Sequence, residues 1–287
     1  MTDTDLTPLH RRAAEVIADA DALLITAGAG MGVDSGLPDF RGPDGFWRAY
    51  PAYRELGLGF EQLANPKWFD EDPQLAWGFY GHRMSLYRTT TPHAGFGLLK
   101  RWAEGKRHGA FVFTSNVDSA FQRSGFARDR LVECHGTFEY VQCMAQCGVG
   151  LVSTEGITVD VDPATFRARP PLPTCPRCGV MLRPNILLFA DFDWDDSLRS
   201  VQDDHMSKWL ANVRGSAARL AIVEMGAGTA IPTIRREGDR ISRFERATLV
   251  RINTREPQVP HGHIGIPQGA LAALTAIDKH IQANKTW

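Results

Sequence analysis

The sequence predicts an α/β fold in which helices cover both faces of a parallel sheet, with a small inserted module and a helical insertion. Short apolar runs bounded by polar or glycine-containing turns recur along the chain, as buried parallel strands do. A glycine-rich turn follows the first run, at the position where open α/β sheets bind ligands. Two close pairs of cysteines lie in a stretch too proline-rich for a central strand or helix. These features indicate a Rossmann-like core with insertions.

The spacing of apolar residues predicts the core elements. Residues 6–20 carry apolar side chains at helical spacing, and the run at 23–25 has the shape of a buried strand. The stretch 269–281 predicts a closing helix with one apolar face. Further runs rich in β-branched or aromatic residues predict parallel core strands at residues 111–114, 220–223 and 249–252.

Two changes of composition interrupt this pattern. Residues 42–91 are rich in aromatic residues and proline, and we expect them to form helices and loops over a cleft. Residues 133–183 hold the paired cysteines. We therefore assign residues 1–41, 92–132 and 184–287 to the Rossmann-like domain, 42–91 to the helical insertion and 133–183 to the small module.

Bulk composition excludes several classes of protein. With 287 residues, 43% of them hydrophobic, the chain can bury an ordinary core. Its 32 basic and 33 acidic residues give a net charge of −1, so no global field draws it to nucleic acid or to an anionic membrane. No apolar run approaches the roughly 18 residues that span a bilayer, and the first residues lack the build of a secretory signal. We expect a cytoplasmic protein that binds neither nucleic acid nor membrane; its oligomeric state is not indicated.

The four paired cysteines suit a tetrahedral metal site. Cys175 and Cys178 are separated by two residues, the usual spacing of a thiolate pair, whereas Cys143 and Cys147 are separated by three. Each pair supplies two sulfurs from one turn, and the intervening loop brings the pairs together. In a reducing compartment this clustering favours zinc over four free thiols. Because four ligands leave no position open for catalysis, we predict a zinc-binding module with a structural zinc.

The glycine-rich turn is part of a longer motif. Residues 28–42 are Gly-Ala-Gly-Met-Gly-Val-Asp-Ser-Gly-Leu-Pro-Asp-Phe-Arg-Gly, and this segment resembles the signature of the sirtuin family, bacterial type. Further segments follow in family order, and the resemblance covers most of the chain from about residue 20. They are Thr-Ser-Asn-Val-Asp at 114–118, His-Gly at 135–136, the cysteine pairs, Arg-Pro-Asn-Ile-Leu-Leu-Phe at 183–189, Gly-Ala-Gly-Thr at 226–229 and Ile-Asn at 252–253.

The resemblance implies NAD as the cofactor. It implies that the amides of residues 28–30 cradle the pyrophosphate, helped by the N-terminus of a following helix. Asp39 and Arg41 could instead form a surface ion pair, and Asn116 and Asp118 could cap a helix. The cofactor-binding residues that the resemblance assigns are Gly28, Ala29, Gly30, Met31, Asp39, Phe40, Arg41, Ser115, Asn116, Asp118, Gly226, Ala227, Gly228 and Asn253.

The resemblance further implies that His135, Asn116 and Asp118 are catalytic. In the sirtuin mechanism the carbonyl oxygen of an acylated lysine attacks C1′ of the nicotinamide ribose as nicotinamide leaves. A histidine acts as general base toward a ribose hydroxyl, and His135 matches that histidine. An imidazole with a pKa near ~6.5 can take such a proton at neutral pH. Outside its motif, the same residue could be an ordinary structural histidine.

Tyr80 and Arg83 share one face of a predicted helix. A Tyr-x-x-Arg pair in this region resembles the pair with which some sirtuins bind the acyl carboxylate of succinyl- or malonyl-lysine. An arginine fork beside a tyrosine hydroxyl suits a carboxylate. An ordinary amphipathic helix with an exposed arginine explains the same spacing.

Several positions depart from the family pattern. Ser115 stands where glutamine is usual, Gly32 where serine is usual, and Ala190-Asp191 where Gly-Glu is common. Loss of the glutamine removes a polar contact near the nicotinamide ribose, which can slow the reaction without abolishing cofactor binding. Four acidic residues near the implied peptide path either favour a basic peptide or form a solvated loop: Asp191, Asp193, Asp195 and Asp196.

The combined motifs predict an NAD-dependent lysine deacylase. Such an enzyme transfers the acyl group from a lysine of a protein or peptide to ADP-ribose and releases nicotinamide. Ser115 and the altered loop leave open a second hypothesis, an NAD glycohydrolase or mono-ADP-ribosyltransferase. A third hypothesis is a catalytically silent NAD-binding protein. The target protein and the preferred acyl group do not follow from the sequence.

Overall fold

The computed structural model describes residues 5–38, 46–47 and 49–283, and the elements below lie within them. The helices are α1 (Thr7–Asp19), α2 (Pro51–Glu55), α3 (Phe60–Leu63), α4 (Trp68–Glu71), α5 (Pro73–Thr89), α6 (Ala94–Glu104), α7 (Ala120–Arg123), α8 (Ser197–Gly215), α9 (Thr233–Phe244) and α10 (Ala270–Ala283). The strands are β1 (Ala22–Ala27), β2 (Ala110–Thr114), β3 (Leu131–Glu133), β4 (Gly136–Cys143), β5 (Val152–Ser153), β6 (Leu182–Ile186), β7 (Leu220–Met225), β8 (Thr248–Ile252) and β9 (Ile264–Ile266).

Six strands form a parallel sheet in the order β3-β2-β1-β7-β8-β9. The strands predicted at residues 23–25, 111–114, 220–223 and 249–252 are confirmed as members of this sheet. All six residues of β1 are buried, which explains why every residue except Thr26 is apolar and the strand does not alternate. Helices α1, α6 and α10 cover one face and helices α8 and α9 the other, as predicted.

The strand order places the ends of three strands together. β1 lies between β2 and β7, with Ala27 beside both Thr114 and Met225. The chain order therefore reverses at β1, and open α/β sheets bind ligands outside the carboxyl ends of the strands at such a point. The segments that follow β1, β2 and β7 all begin at this edge of the sheet.

A second, antiparallel sheet of order β5-β4-β6 packs with helices α2 to α5 in a separate hydrophobic cluster. The aromatic residues of the predicted helical insertion fill this cluster, with Trp77, Phe79 and Tyr80 almost fully buried. The predicted module boundaries at residues 133 and 183 fall at the end of β3 and within β6, and the division into domains stays a prediction. In the described part of the chain, every helix is too short or too polar to cross a membrane.

Candidate active site

Two glycine turns meet at the carboxyl edge of the parallel sheet. The N–H of Gly28 donates to the carbonyl of Met225 at 2.9 Å, and the N–H of Gly30 donates to the carbonyl of Gly226 at 3.0 Å. A Cβ on Gly30 would lie 2.7 Å from the Cα of Gly226, so the two backbones are in direct contact. The glycines are therefore required by close packing. The amides of Gly28 and Gly30, expected to cradle the pyrophosphate, donate within the protein in this structure.

The segment after β2 is joined to the first glycine turn. The N–H of Ser115 donates to the carbonyl of Ala27 at 3.1 Å, and Asn116 Nδ2 donates to the carbonyl of Gly28 at 3.1 Å. Asp118 Oδ1 accepts from the N–H of Ala120 at 2.9 Å, at the start of α7. The capping role considered for Asp118 is thus present, and burial raises the pKa of this carboxyl.

His135 lies two residues after Glu133, the last residue of β3, and is half-buried. Its Nε2 lies 3.4 Å from the hydroxyl oxygen of Thr233, the first residue of α9. The imidazole therefore stands between the segment that follows β3 and the start of a helix from the opposite half of the sheet.

These segments surround one cavity of about 650 Å³. Its walls include Ala29 from the first glycine turn, Ser115, Asn116 and Asp118 from the segment after β2, and His135. The convergence implied by the family resemblance is therefore present for these five residues. The described helical insertion closes the other side of the cavity with Phe46, Phe60, Tyr80, Arg83 and Tyr87.

The remaining residues assigned to the cofactor lie beside the cavity or outside the described part of the chain. Asn253 Nδ2 donates to the carbonyl of Ala227 at 2.8 Å and holds the second glycine turn against the end of β8. Met31 is fully buried in the core beneath the first turn. Asp39, Phe40 and Arg41 fall outside the described residues, so the structure tests neither their cofactor role nor the alternative ion pair.

Residues 28–218 match the sequence profile of the Sir2 family. The matched span includes the first glycine turn, the Asn-x-Asp segment, His135 and all four paired cysteines. The chain belongs to the Sir2 family.

Curated Sir2 relatives share about a third of their aligned residues with this chain. The NAD-dependent protein deacylase 1 of Archaeoglobus fulgidus is 32% identical over 180 residues, which is 62% of this chain and 63% of that protein. The mitochondrial NAD-dependent protein deacylase sirtuin-5 of Danio rerio is 31% identical over 203 residues, 66% of this chain and 63% of that protein. The chain thus spans 63% of the length of both relatives.

A more distant relative carries a different name. A probable bifunctional ADP-ribose hydrolase/ADP-ribosyltransferase of Fusarium oxysporum f. sp. cubense is 27% identical over 252 residues, 84% of this chain and 41% of that protein.

Solved Sir2 structures share the fold over nearly the whole chain. A Sir2 homologue in complex with ADP-ribose superimposes with a TM-score of 0.70 at 23% identity and covers 96% of this chain and 97% of its own. A Sir2 homologue in complex with NAD gives a TM-score of 0.67 at 24% identity, covering 95% of this chain and 94% of its own. The fold of the chain is therefore the Sir2 fold.

The cysteine cluster of this Sir2 protein has the geometry of a thiolate site. The sulfurs of Cys143, Cys147, Cys175 and Cys178 all lie within 4.8 Å of one another. The sulfurs of Cys143 and Cys178 are 3.5 Å apart, and those of Cys147 and Cys175 are 3.6 Å apart. Four sulfurs bound to zinc at about 2.3 Å lie roughly 3.8 Å apart in a tetrahedron. The four thiols therefore fit zinc, despite the three-residue spacing of the first pair, and Cys134 is buried elsewhere.

The Tyr80 and Arg83 pair is buried at the wall of the cavity. Arg83 is 7% exposed, so the alternative of an exposed arginine on an amphipathic helix is wrong. Its Nε and Nη2 donate to the hydroxyl of Tyr87 at 3.1 and 2.7 Å. Its guanidinium carbon lies 5.1 to 5.7 Å from the ring centres of Phe60, Phe79, Tyr87 and Phe138.

Two features of this wall were absent from the sequence prediction. The hydroxyl of Tyr80 is buried without a hydrogen-bond partner among the described residues. Tyr87 was not predicted at all, although it stands four residues after Arg83, which is one helical turn. This spacing of one helical turn was the sequence signal that could have identified Tyr87 as a partner of Arg83.

Among the four acidic residues of the loop after β6, Asp191 fits neither alternative considered for them. Its side chain is fully buried, and its two carboxylate oxygens accept from Arg183 at 2.8 Å each. This carboxylate therefore neither contacts solvent nor offers its charge to a peptide. Ala190 takes a left-handed φ of 57°, which explains why glycine is common at this position in the family. Asp193 and Asp196 are exposed and remain available to a partner.

Proposed function

We propose that this Sir2 protein is an NAD-dependent lysine deacylase. The reaction transfers the acyl group of an acyl-lysine side chain to ADP-ribose and releases nicotinamide. The observation that carries the proposal is the convergence of Ala29, Asn116, Asp118 and His135 on one cavity. The names of the curated deacylase relatives support it.

The cavity residues suit the steps that the protein must perform. Bound NAD supplies a ribose carbon at which the glycosidic bond can be broken. His135 presents an imidazole that can take a proton from a ribose hydroxyl, and its Nε2 is oriented by the Thr233 hydroxyl. Asn116 is held by the carbonyl of Gly28, so its amide has a fixed orientation at the cavity wall.

We further propose an acyl group that ends in a carboxylate, as in succinyl- or malonyl-lysine. A buried guanidinium at the cavity wall attracts an anion far more strongly than an exposed one, because water screens it less. The hydroxyl of Tyr80 adds a donor within the same wall. The acyl-lysine belongs to a protein or peptide, and one Sir2 structure of the same fold contains a deacetylated p53 peptide. A cytoplasmic location is part of the same proposal.

A second candidate is NAD glycohydrolase or mono-ADP-ribosyltransferase activity. Ser115 at the cavity wall is shorter than the glutamine usual in the family, which leaves more room beside Asn116. The Fusarium relative named as a probable ADP-ribose hydrolase/ADP-ribosyltransferase favours this candidate.

Incubation with NAD and a panel of acetyl-, succinyl- and malonyl-lysine peptides tests the proposal. Acyl-dependent release of nicotinamide is expected, and His135→Ala should lower its rate by about 10²- to 10⁴-fold. His261→Ala is the matched control, because this histidine is exposed and lies far along the chain from the cavity residues. Nicotinamide release that needs no acyl peptide would favour the second candidate. Calorimetric binding of NAD without any turnover would favour a silent NAD-binding protein.

A further inference from the structure

Glu133, the last residue of β3, is a buried carboxylate with no part in the chemistry described above. It is 3% exposed and lies two residues before His135. Its carboxylate accepts from Gln122 Nε2 at 2.8 Å and from Gln202 Nε2 at 3.4 Å, and the hydroxyl of Thr137 also donates to it. Side chains from three separate segments therefore converge on one buried anion.

One of these segments carries the cavity residue Asp118. Gln122 belongs to α7, and the first residue of α7 donates its N–H to Asp118. Ser119, between Asp118 and α7, takes a left-handed φ of 56° that residues other than glycine rarely adopt. Such a turn persists only when its surroundings hold it. The bond from Gln122 to Glu133 is one of those restraints.

The second segment carries His135. Thr137 lies two residues after His135, so Glu133 and Thr137 hold the histidine turn on both sides. The hydroxyls of Thr137 and Ser119 are 3.4 Å apart, which adds a second link between the histidine turn and the Asp118 turn. On the third segment, α8, Gln202 Oε1 accepts from the N–H of Glu133 at 2.9 Å.

We propose that Glu133 is a positioning residue whose carboxylate fixes the turn carrying His135 against the turn carrying Asp118. Glu133 thereby fixes the distance between the side chains of His135 and Asp118, although Glu133 itself does not line the cavity. Displacement of a catalytic group by about 1 Å can lower a rate by roughly 10²-fold, so the restraint bears directly on turnover. The inference rests on the proposed function, because it assigns Glu133 a part in that same reaction.

Protonation of Glu133 changes this network. A carboxylate only accepts hydrogen bonds, whereas a carboxylic acid must also donate one. The amide nitrogens of Gln122 and Gln202 that face it are donors, whereas the Thr137 hydroxyl can turn to accept without moving its oxygen. Protonation therefore reverses the bond to Thr137 and alters its link to Ser119.

The surroundings favour protonation near neutral pH. Burial raises the pKa of Glu133 to about 7. The charged groups nearby are Glu139 of β4, which opposes ionisation and is itself paired with Arg128, and the Arg199–Asp203 pair of α8. Arg199 Nη1 donates to the carbonyl of Cys134, so this pair also lies beside the histidine turn.

Glu133→Gln tests the proposal, because glutamine keeps the shape of the protonated acid. With NAD and an acyl-lysine peptide, kcat at pH 8 should fall about tenfold. At pH 6 the wild-type and variant rates should converge, since wild-type Glu133 is then protonated. The affinity for NAD, measured by calorimetry, should change less than about twofold. Asp278→Asn is the matched control: this carboxylate also accepts from several side chains, among them Trp102 and Arg101, but joins α6 to α10.

The proposal would be overturned if the ratio of the wild-type rate to the Glu133→Gln rate were the same at pH 6 and pH 8. It would also be overturned if the variant were as fast as the wild type at pH 8. Nitrogen-15 NMR of the His135 ring supplies a readout that does not need turnover. At pH 8 its signals should shift in Glu133→Gln and stay unchanged in Asp278→Asn. If these shifts are observed but no nicotinamide is released, the proposed activity is rejected and the positioning role is not. Unchanged ring signals would reject the positioning role.

Discussion

Arg83 keeps a charged group inside a cluster of aromatic rings. Removing a guanidinium from water costs several kcal/mol, and the cost is offset only where polar atoms and ring faces replace the water. Here the hydroxyl of Tyr87 accepts two hydrogen bonds from it, and four rings surround it. The direction of the guanidinium is therefore set before any substrate arrives, which lowers the entropy lost on binding an anion.

Tyr87→Phe should weaken both folding and acyl selectivity. Loss of the hydroxyl that Arg83 contacts should lower the free energy of unfolding by about 1–3 kcal/mol. It should also lower kcat/KM for succinyl-lysine relative to acetyl-lysine, because the guanidinium is no longer oriented. Urea denaturation and a comparison of the two peptides measure these effects. Tyr53→Phe is the matched control, since its buried hydroxyl donates to the carbonyl of Phe166; an equal loss of selectivity there would refute the role of Tyr87.

Glu133 should make stability depend on pH in a defined window. Its pKa is about 7 in the folded protein and near 4.5 when unfolded, so between these values the folded state binds more protons. The contribution of Glu133 to the free energy of unfolding is therefore greatest below pH 4.5 and falls as the pH rises to 7. Above pH 7 it changes little. The difference in unfolding free energy between Glu133→Gln and wild type should grow by up to about 3 kcal/mol from pH 5 to pH 8. Denaturant titrations at both pH values measure this difference. A difference that is the same at pH 5 and pH 8 would contradict the account.

Some of these residue roles could be predicted and others could not. His135 and Asn116 stand in local motifs, so a short stretch of sequence was enough to single them out. The role of Glu133 depends on its hydrogen bonds with Gln202, which is 69 residues away in the chain. The burial of Asp191 likewise depends on a pairing across a loop with Arg183. When only the fold brings two residues into contact, no local sequence pattern indicates that they are partners.

At the scale of elements, the parallel pairing of β1 with β7 brings two glycine turns into backbone contact. Gly226 has a left-handed φ of 61°, and a Cβ there would lie 2.3 Å from the backbone nitrogen of Met31. Both steric crowding and conformation therefore exclude a side chain. The sequence predicted that these turns bind a ligand, but their contact with each other follows only from the strand order.

Gly226→Ala should lower stability and NAD affinity together. The left-handed conformation alone costs alanine about 1–2 kcal/mol, and displacement of the Met31 backbone adds to this. Thermal unfolding and calorimetric titration with NAD measure the two effects. Gly97→Ala is the control, because that helical glycine has open space around its Cβ position and should gain up to about 1 kcal/mol. A Gly226→Ala variant that binds NAD normally would show that the contact is dispensable.

The zinc module should lose its stability when its metal is removed. Two hairpin-like segments hold the four sulfurs, and thiolate ligation adds directly to the folding free energy of such small units. Cys175→Ala should abolish binding of one zinc per chain, measured by plasma mass spectrometry, and lower the melting temperature by more than about 5 °C. Cys134→Ala should keep the metal, since this buried thiol lies outside the cluster. Full zinc content in Cys175→Ala would contradict the assignment.

The predictability of elements depended on their length and burial. Strands β1, β2, β7 and β8 of the parallel sheet contain apolar runs and could be predicted from sequence, whereas β9, with three residues, was not predicted. The antiparallel sheet was not predicted, because β5 has only two residues and β6 includes Arg183, Pro184 and Asn185. Arg183 and Asn185 are buried with partners from the loop after β6, as in the bond from Asn185 Nδ2 to the carbonyl of Asp195 at 2.9 Å.

For the whole molecule, the cavity lies between two separately packed halves. The parallel sheet and its helices form two hydrophobic clusters, and the antiparallel sheet with the helical insertion forms a third. The first half supplies Asn116, Asp118 and His135, and the second supplies Tyr80 and Arg83. The strand order that creates this division could not be derived from apolar patterns alone. The family resemblance implied only that the residues of these motifs meet around one bound NAD.

Mass spectrometry of the products formed from NAD and a succinyl- or acetyl-lysine peptide tests the central claim most directly. The account predicts the deacylated peptide, free nicotinamide and O-acyl-ADP-ribose in equal amounts, with all three lost in His135→Ala. Free ADP-ribose together with an unchanged acyl peptide would contradict it.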